Sequence, residues 1–313
     1  MSGYGRAFAG VLCKMGEDRV EWPTVVLLVV TYAVWAVAVS WLAAWSMPAA
    51  ILVAAIAIAQ HSSLQHEALH GHPFDSQTLN AALVRPGLSL VIPYGRFRDT
   101  HLAHHQDSRL TDPFDDPECN YLTEAHWNAL PWAGKWLYRF NGTLMGRMLI
   151  GPALGTVSFI ACDLRGMTPA IARSWGAHVA ASVPVVALVW MSPMSIGAYL
   201  CAAYLGLSLL KIRTYLEHRA HAASRARSVI IEDRGPLALL FLNNNFHAVH
   251  HMHPGVAWYK LPALYHARRA RFLACNEGYV YRSYGSIFAR YLWRRKDPVA
   301  HPLWHRTRDK ADA

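Results

Sequence analysis

The sequence His66-Glu67-Ala68-Leu69-His70 is the stretch around which the rest of the chain is organised. Two later segments repeat its histidine spacing, His101-Leu102-Ala103-His104-His105 and His247-Ala248-Val249-His250-His251. We call the three segments boxes one, two and three. Residues three and four apart share a helix face, so each later box presents three imidazoles on one side of a turn and box one presents two. Imidazole binds iron, zinc, copper and nickel well, so the boxes predict a metal site.

The composition indicates a membrane protein. Of the 313 residues, 53% are hydrophobic and only 16% are charged, against about a quarter charged in soluble domains. The net charge of +10 predicts anionic partners. Because no nucleic-acid motif is present, we expect lipid head groups and an acidic electron carrier rather than nucleic acid.

The cysteines and the N-terminus exclude other classes. The five cysteines are scattered without a CxxC pair, which excludes a disulfide framework and a thiolate metal site. They are Cys13, Cys119, Cys162, Cys201 and Cys275. Charged residues precede the first apolar run, so the N-terminus is not a signal peptide, and we expect residues 1–22 to form a short interfacial helix.

Two stretches contain no charged residue, 22–60 and 174–210. A bilayer crossing takes about 20 apolar residues, so each stretch holds two spans. Turns at Trp45–Pro48 and Met191–Pro193 divide them. The predicted spans lie near residues 24–43, 48–62, 177–191 and 194–211.

The fold prediction is therefore an all-α integral membrane protein with four transmembrane helices and a cytosolic, histidine-rich helical cap. The cap comprises 63–173 and 212–313, and the whole chain, 1–313, forms a single domain. Residues 79–93 are too interrupted to cross and predict a buried or re-entrant segment. Within 121–173, aromatic and basic residues alternate as in interfacial helices. Residues 148–162 are apolar, but Gly and Pro interruptions argue against a full crossing.

This topology places the three boxes together. An even number of crossings separates them, so all three lie on one side of the membrane. The two turns between paired spans contain no Lys or Arg. By the positive-inside rule, the boxes therefore face the cytoplasm.

Box one also allows a different enzyme class. His66-Glu67-Ala68-Leu69-His70 matches the HExxH motif of zinc metalloproteases, in which two histidines bind zinc and the glutamate is the general base. A protease would leave six histidines of boxes two and three without a role. Otherwise Glu67 is a partner for an imidazole N–H or a solvated helix residue.

In box spacing, box order and span order, residues 20–270 resemble the membrane-bound fatty acid desaturase superfamily, which includes desaturases, hydroxylases and carotenoid oxygenases. The stretch from Asn243 to Pro254 is similar to the third box of bacterial fatty acid desaturases. The resemblance implies two iron ions that activate O2. The ligands it implies are His66, His70, His101, His104, His105, His247, His250 and His251.

The same resemblance implies a ninth ligand after the fourth span, which is His218 in Glu217-His218-Arg219. His72, His221 and His253 lie near the boxes and are candidates for substitute ligands or for supporting contacts. Five further histidines are expected to have no part in the metal site. These are His126, His178, His266, His301 and His305.

The resemblance implies an O2-dependent oxidoreductase, with a fatty acid (acyl-lipid) desaturase as the leading interpretation. Three residues separate the box-one histidines, a spacing usual in acyl-lipid desaturases and carotenoid ketolases and unlike the four of acyl-CoA desaturases. A lipid or carotenoid hydroxylase or ketolase on the same scaffold is the alternative, and a non-catalytic membrane binding protein is a further one. No HPGG haem motif is present, so the electrons are expected from a separate ferredoxin- or cytochrome-type donor.

Two further polar features lie close to the boxes. An acidic loop runs from Asp107 to Glu118. We expect it to be a solvated loop or to pair with Arg96, Arg98 and Arg109, and metal coordination is the alternative. Asn243 or Asn244 precedes box three and is a candidate contact for a metal-bound water or a helix N-cap.

Overall fold

The computed structural model of the chain describes residues 20–105 and 107–303, and they are predominantly helical. The predicted N-terminal interfacial helix, Cys13 and His305 lie outside the described residues. The longer helices are α1 (Trp22–Trp45), α2 (Met47–Leu69), α3 (Gln77–Val84), α4 (Tyr94–His104), α5 (Glu124–Ala129), α6 (Trp132–Asn141), α7 (Leu144–Arg165), α8 (Pro169–Trp190) and α9 (Ile196–Thr214). After them come β1 (Ile230–Ile231), α10 (Pro236–Leu240), α11 (His247–Met252), α12 (Leu261–Ala267), α13 (Arg269–Cys275), β2 (Val280–Tyr281) and α14 (Tyr284–Tyr291).

Among the described residues, five helices are long and apolar enough to cross a membrane, namely α1, α2, α7, α8 and α9. Four of them contain the predicted spans. The fifth, α7, contains residues 148–162, where Gly and Pro residues argued against a full crossing, and it is an unbroken helix of 22 residues with Pro152 inside it. Proline is tolerated in apolar helices when neighbouring groups satisfy the freed carbonyl. The segment predicted as 79–93 forms α3 and a half-buried loop.

Helix α2 is longer than the predicted span, and the extra length carries box one. Ser46 adopts an extended conformation and Pro48 occupies the first turn, where the missing N–H costs nothing. The helix then continues without a break through His66 and ends at Leu69, with His70 as its C-cap. Box one is therefore an extension of an apolar helix long enough to cross a membrane, rather than a separate loop.

Helices α2 and α9 pack closely along their length. A Cβ at Gly206 would lie 2.9 Å from both the carbonyl oxygen of Ala55 and Cγ2 of Ile58, so only glycine allows this approach. Small residues at helix contacts permit such packing in membranes, where dispersion rather than the hydrophobic effect holds helices together. The contact fixes the end of α9, which leads to His218, against the helix that carries box one.

The outer surface of the long helices is apolar. Large hydrophobic side chains are exposed on α1, α7 and α8, and a contiguous apolar surface of this kind marks a membrane contact. Examples are Val26, Val29, Leu149, Val157, Leu164, Val179 and Val183. Together with the five candidate spans, this surface confirms a helical membrane protein.

The segments 70–143 and 215–303, which we call the cap segments, are joined to each other by hydrogen bonds. Leu122 N donates to the Val299 carbonyl (2.9 Å), and the Ala220 amide donates to the Tyr121 hydroxyl (2.9 Å). Strands β1 and β2 pair in parallel, with Ile230 opposite Val280. The first two contacts join the chain that follows α4 to the chain that follows α9.

Candidate metal centre

The structure brings all nine predicted ligand histidines together in two groups. The first group is His66, His70, His101, His105 and His250, and the second is His104, His218, His247 and His251. Within each group, one nitrogen from each ring lies within 4.8 Å of every other. Among the described residues, these are the two clusters of His, Cys, Asp or Glu that are compact enough to hold a metal ion.

Each of boxes two and three contributes to both groups. In box two, His101 and His105 belong to the first group and His104 belongs to the second. In box three, His250 belongs to the first group, and His247 and His251 belong to the second. Residues four apart stay together because they point the same way, and the residue between them points to the neighbouring site. Three imidazoles on one turn therefore serve two sites rather than one.

Hydrogen bonds determine which ring nitrogen faces the centre of each group. His104 Nδ1 donates to Asp116 Oδ1 (2.7 Å), and His101 Nδ1 donates to Glu118 Oε1 (3.0 Å). A carboxylate can only accept, so these Nδ1 atoms carry the proton and the Nε2 atoms carry lone pairs. In the second group, His247 Nδ1 similarly donates to Asn244 Oδ1 (3.1 Å).

The lone pairs converge at distances that call for a cation. In the second group, His218 Nε2 lies 2.8 Å from His104 Nε2 and 3.0 Å from His247 Nε2. Since His104 and His247 carry their protons on Nδ1, the Nε2 lone pairs of these two rings both face His218. In the first group, Nε2 of His66 and of His70 are buried without a hydrogen-bond partner among the described residues. Buried nitrogens without a partner cost free energy that a metal ion would recover, so the residues fit one metal ion in each group.

The pKa values indicate neutral rings for His218, His247 and His250, and a second proton on His104 as long as no metal ion is bound. Burial and the neighbouring histidines hold the pKa of His218, His247 and His250 well below its ordinary value, so these rings are neutral. Burial would also lower the pKa of His104, but Glu118 and Asp116 outweigh it and raise that pKa to about 9. A metal ion bound by His104 must displace this proton, so occupancy of the second group should fall as the pH falls.

A chain of buried polar residues supports His247. Arg213 at the end of α9 lies 2.9 Å from the Glu217 carboxylate. Glu217 accepts a hydrogen bond from Asn244 Nδ2 (3.1 Å), and Asn244 in turn holds the His247 ring. All four residues are buried. The ring orientation is thus set by a network that starts at the end of α9, just after the fourth predicted span.

The backbone before box three is set by unusual local structure. Leu242 and Asn243 both have positive φ, +51° and +53°, a region that asparagine tolerates and leucine rarely adopts. Strain of this kind persists where the surrounding structure fixes the backbone. Asn245 Nδ2 donates to the carbonyl oxygens of Ile231 (2.6 Å) and Asp233 (3.1 Å), which fixes box three against β1.

The three candidate substitute ligands, His72, His221 and His253, lie outside the two groups. His72 pairs with Glu21 (2.9 Å) and His221 lies 3.5 Å from Glu277. His253 packs edge-on against Phe272. The residues with no expected role in the metal site, as far as the structure describes them, are also outside both groups. They are His126, His178, His266 and His301.

The acidic loop from Asp107 to Glu118 has other partners than the sequence analysis predicted. The expected pairing with Arg96 and Arg98 is wrong, because Arg96 binds Asp163 (2.8 Å) and Arg98 binds its neighbour Asp99. Instead Asp116 and Glu118 support histidines, as described above. The sequence contained a signal for this role. Metal-binding histidines usually donate their second N–H to a nearby carboxylate, and this acidic loop follows box two directly.

Glu67 and the two asparagines also have defined positions. Glu67 is only 3% exposed, so it is not a solvated helix residue. One of its oxygens accepts from the Trp258 amide (3.1 Å), and the other lies 3.9 Å from His66 Nδ1. Neither asparagine is an N-cap, because α11 begins after Phe246 without a side-chain cap.

A small polar cavity of about 50 Å³ lies beside His218. Its walls include Arg147, Tyr215, Lys296 and the support residue Glu118. This volume accommodates one or a few water molecules. The second group therefore has a polar side, away from the apolar helices.

Comparisons with known proteins place this geometry in a family. A family model described as fatty acid desaturase matches residues 39–285, which is most of the chain and includes all nine histidines. A beta-carotene ketolase from Paracoccus sp. (strain N81106 / MBIC 01143) is 27% identical over 210 residues. That alignment covers 64% of this chain and 71% of the ketolase.

Proposed function

Because the chain belongs to the fatty acid desaturase family, we propose that it is a membrane oxidoreductase whose two histidine groups hold two iron ions. The observation that carries the proposal is the convergence of nine imidazoles into one set of five and one set of four. Imidazole is compatible with iron, and the support from Asp116 and Glu118 is typical of metal-bound histidine. A zinc protease site has three protein ligands. Here nine histidines converge, and box one supplies only two of them, which does not fit a protease site.

We propose acyl-lipid desaturation as the reaction. Two hydrogens leave adjacent carbons of an acyl chain, and together with O2, two electrons and two protons they yield one C=C bond and two water molecules. When bound, the iron ions would supply the oxidising power that side chains lack. The electrons come from a separate ferredoxin- or cytochrome-type donor.

The chain's own residues hold the ligands and exclude water. Asp116, Glu118 and Asn244 keep the protons of three rings on Nδ1, so the lone pairs face inward. Around box one, a buried apolar cluster includes Leu64, Leu69, Tyr94 and Leu242. Such a cluster keeps bulk water away from a reactive centre.

A second candidate is oxidation of a carotenoid to a ketone. The beta-carotene ketolase relative favours it, as does the three-residue spacing within box one. Converting a CH2 group to a ketone takes two O2, four electrons and four protons and releases three water molecules. Both reactions begin by removing hydrogen from an apolar chain or ring, so the same site serves either.

We also propose that four of the five candidate spans cross the membrane and that α7 lies along its surface. Near its start, the Met145 amide donates to the Leu292 carbonyl (3.0 Å), which belongs to a cap segment. Near its end, Asp163 binds Arg96 of the box-two helix. Helix α7 is about 33 Å long, which is enough to cross a bilayer. Because both of its ends nevertheless contact elements beside the histidines, it does not run to the opposite face of the membrane.

Four crossings leave all three boxes on one side, and we propose that this side is the cytoplasm. The connections at the other end of the spans are Ser46 and residues 191–195, and neither contains Lys or Arg. Loops with few basic residues lie outside the cytoplasm.

Mass spectrometry of lipids and pigments from cells that express the chain with a redox partner tests the function. The comparison is with His104→Ala, and His126→Ala is the matched control because His126 is exposed and outside both groups. We expect a lipid lacking two hydrogens in cells that express the unaltered chain and in cells that express His126→Ala. This lipid should be absent from cells that express His104→Ala. A pigment with a new ketone would move the assignment to the second candidate.

Metal analysis of the purified protein completes the test. Two iron ions per chain are expected, and both should be absent from a variant lacking histidines of both groups. Zinc in place of iron, with no change in lipids or pigments, would overturn the proposal. An unchanged profile with iron bound and electrons supplied would instead indicate a binding protein.

A further inference from the structure

A surface groove lies between α6 and the chain segment that follows α14. Its walls include Trp136, Arg139, Trp293, Arg294 and Arg295, and its volume is about 720 Å³. Ligand sites commonly enclose 300–1,000 Å³. The groove is separate from the two histidine groups, none of whose members line it.

The two walls are held together by backbone contacts. Thr143 and Arg295 form an antiparallel bridge, and the Met145 amide donates to the Leu292 carbonyl (3.0 Å). The stem of Arg295 packs against Gly142, where a Cβ would lie 3.2 Å from its Cγ and Cδ. The groove is therefore a defined feature of the fold rather than a gap between loose segments.

The groove combines exposed aromatic rings with cationic side chains. Trp136 is 61% exposed and Trp293 is 67% exposed. A third ring, Trp132, lies on α6 with Trp136 and is 83% exposed. Arg139, Arg294 and Arg295 are exposed as well. Tryptophan beside basic residues is typical of a surface at the level of lipid head groups.

The positive charge of the groove is not neutralised within the described part of the chain. Asp297 is the acidic residue in the lining. Its Oδ2 accepts from the Tyr121 hydroxyl (2.6 Å) and lies 3.1 Å from Lys296 Nζ, so its charge is already balanced. Across residues 20–105 and 107–303, no carboxylate forms a salt bridge with Arg139, Arg294 or Arg295.

The groove opens next to the lipid-facing surface of the molecule. Helix α6 leads through Gly142 directly into α7, whose Leu149, Val157 and Leu164 are more than half exposed. An occupant of the groove can thus place a phosphate among the arginines and acyl chains along α7. A soluble acidic partner would have no use for the apolar continuation.

We propose that this groove binds the phosphate head group of an anionic phospholipid. The three arginines contact the phosphate, Trp136 and Trp293 lie against the glycerol region, and the acyl chains run along α7. Basic clusters beside membrane helices bind anionic lipids in this way. The site would hold the cap segments at a fixed depth in the membrane, whatever substrate the histidine groups oxidise.

Native mass spectrometry of the full chain in neutral detergent tests the proposal with dioleoyl phosphatidylglycerol and dioleoyl phosphatidylcholine. The first phosphatidylglycerol should bind more tightly than phosphatidylcholine. Replacing the three arginines (R139Q, R294Q and R295Q together) should weaken phosphatidylglycerol binding by roughly 100-fold, since each basic residue at an anionic surface contributes about fivefold. Phosphatidylcholine binding should not change.

The matched control removes three cations outside the groove, with R225Q, R234Q and R282Q. It should leave phosphatidylglycerol binding unchanged, and an equal loss in the control would overturn the proposal. A second variant, with R139K, R294K and R295K together, keeps the positive charge. It should retain the preference for phosphatidylglycerol over phosphatidylcholine, which tests the proposal even if the glutamine variant folds poorly. Equal binding of the two lipids, or full displacement of the lipid by millimolar inorganic phosphate, would also overturn the proposal.

Discussion

The two histidine groups are built by different means. In the group of five, His66 and His70 come from the end of a tightly packed membrane helix, and their Nε2 atoms have no hydrogen-bond partner among the described residues. In the group of four, the rings of His104, His218 and His247 each have their other nitrogen within 3.2 Å of a polar side chain. Packing of a membrane helix positions two of the five rings in the first group, although His101 of that group also has a carboxylate partner, whereas hydrogen bonds to polar side chains position three of the four rings in the second.

This difference predicts different sensitivities. Packing tolerates loss of a polar partner but not a change in helix spacing. A hydrogen-bonded network tolerates small shifts but not loss of a charged acceptor, because charge-assisted hydrogen bonds are the strong ones. The two groups can therefore be perturbed separately although they lie side by side.

Removal of one ligand from each group should have the largest effect. His66→Ala should remove the metal ion of the first group and His104→Ala that of the second. Each should lower turnover by more than about 100-fold, because loss of a ligand exceeds the 10–100-fold cost of losing its support. Iron content, measured by mass spectrometry of the metal, should fall from two per chain towards one. If either substitution removes both ions, the groups are not separate sites.

Asp116→Asn should weaken the second group selectively. The amide lacks the charge that holds the His104 proton on Nδ1, and losses of this kind cost about 10–100-fold in metal affinity. Competition with a chelator measures the affinity of each site. Asp115→Asn is the matched control, because Asp115 is the neighbouring exposed acid and contacts no histidine of either group among the described residues. Equal weakening of the two sites would contradict the proposed division.

Gly206→Ala should disturb the first group through packing. The new Cβ would lie 2.9 Å from backbone and side-chain atoms of α2, so the helices must separate. Overpacking of this kind costs about 1–3 kcal/mol. Thermal unfolding in detergent and metal occupancy of the first group are the measurements. Gly197→Ala in the same helix meets no atom within 4 Å and should leave both values unchanged. A variant that loses only the second metal ion would reverse the comparison.

Asn244→Ala should have the smallest effect. It removes one neutral hydrogen bond to His247, which contributes about 0.5–1.5 kcal/mol, so metal affinity of the second group should fall roughly 2–10-fold. The same chelator titration should show a smaller change than Asp116→Asn. A larger change than for Asp116 would mean that the Arg213–Glu217 network, and not the carboxylate beside box two, dominates the second group.

Spacing in the sequence was sufficient to find the eight histidines of the three boxes, because helical periodicity alone brings residues three and four apart to one face. The membrane class followed from two charge-free stretches. Both are local properties of the chain. His218, outside the boxes, came only from the family resemblance and still lies within the second group.

The support network was harder to predict. Asp116 and Glu118 reach histidines through a loop whose path depends on contacts far along the chain, such as that of Leu110 with Arg227. The glycines and Pro152 of α7 argued against a full crossing, but they did not predict the length of the helix, which runs unbroken for 22 residues.

Both groups include residues of α11, which begins at His247. During synthesis, a nascent chain that has emerged only as far as His218 holds incomplete sites, with four of five and two of four ligands. Neither can close until the last candidate span has been inserted and box three has followed it out of the ribosome. If the two groups hold the proposed iron ions, completion of both sites is therefore a late step in the protein's biogenesis, and products truncated before box three contain neither complete site.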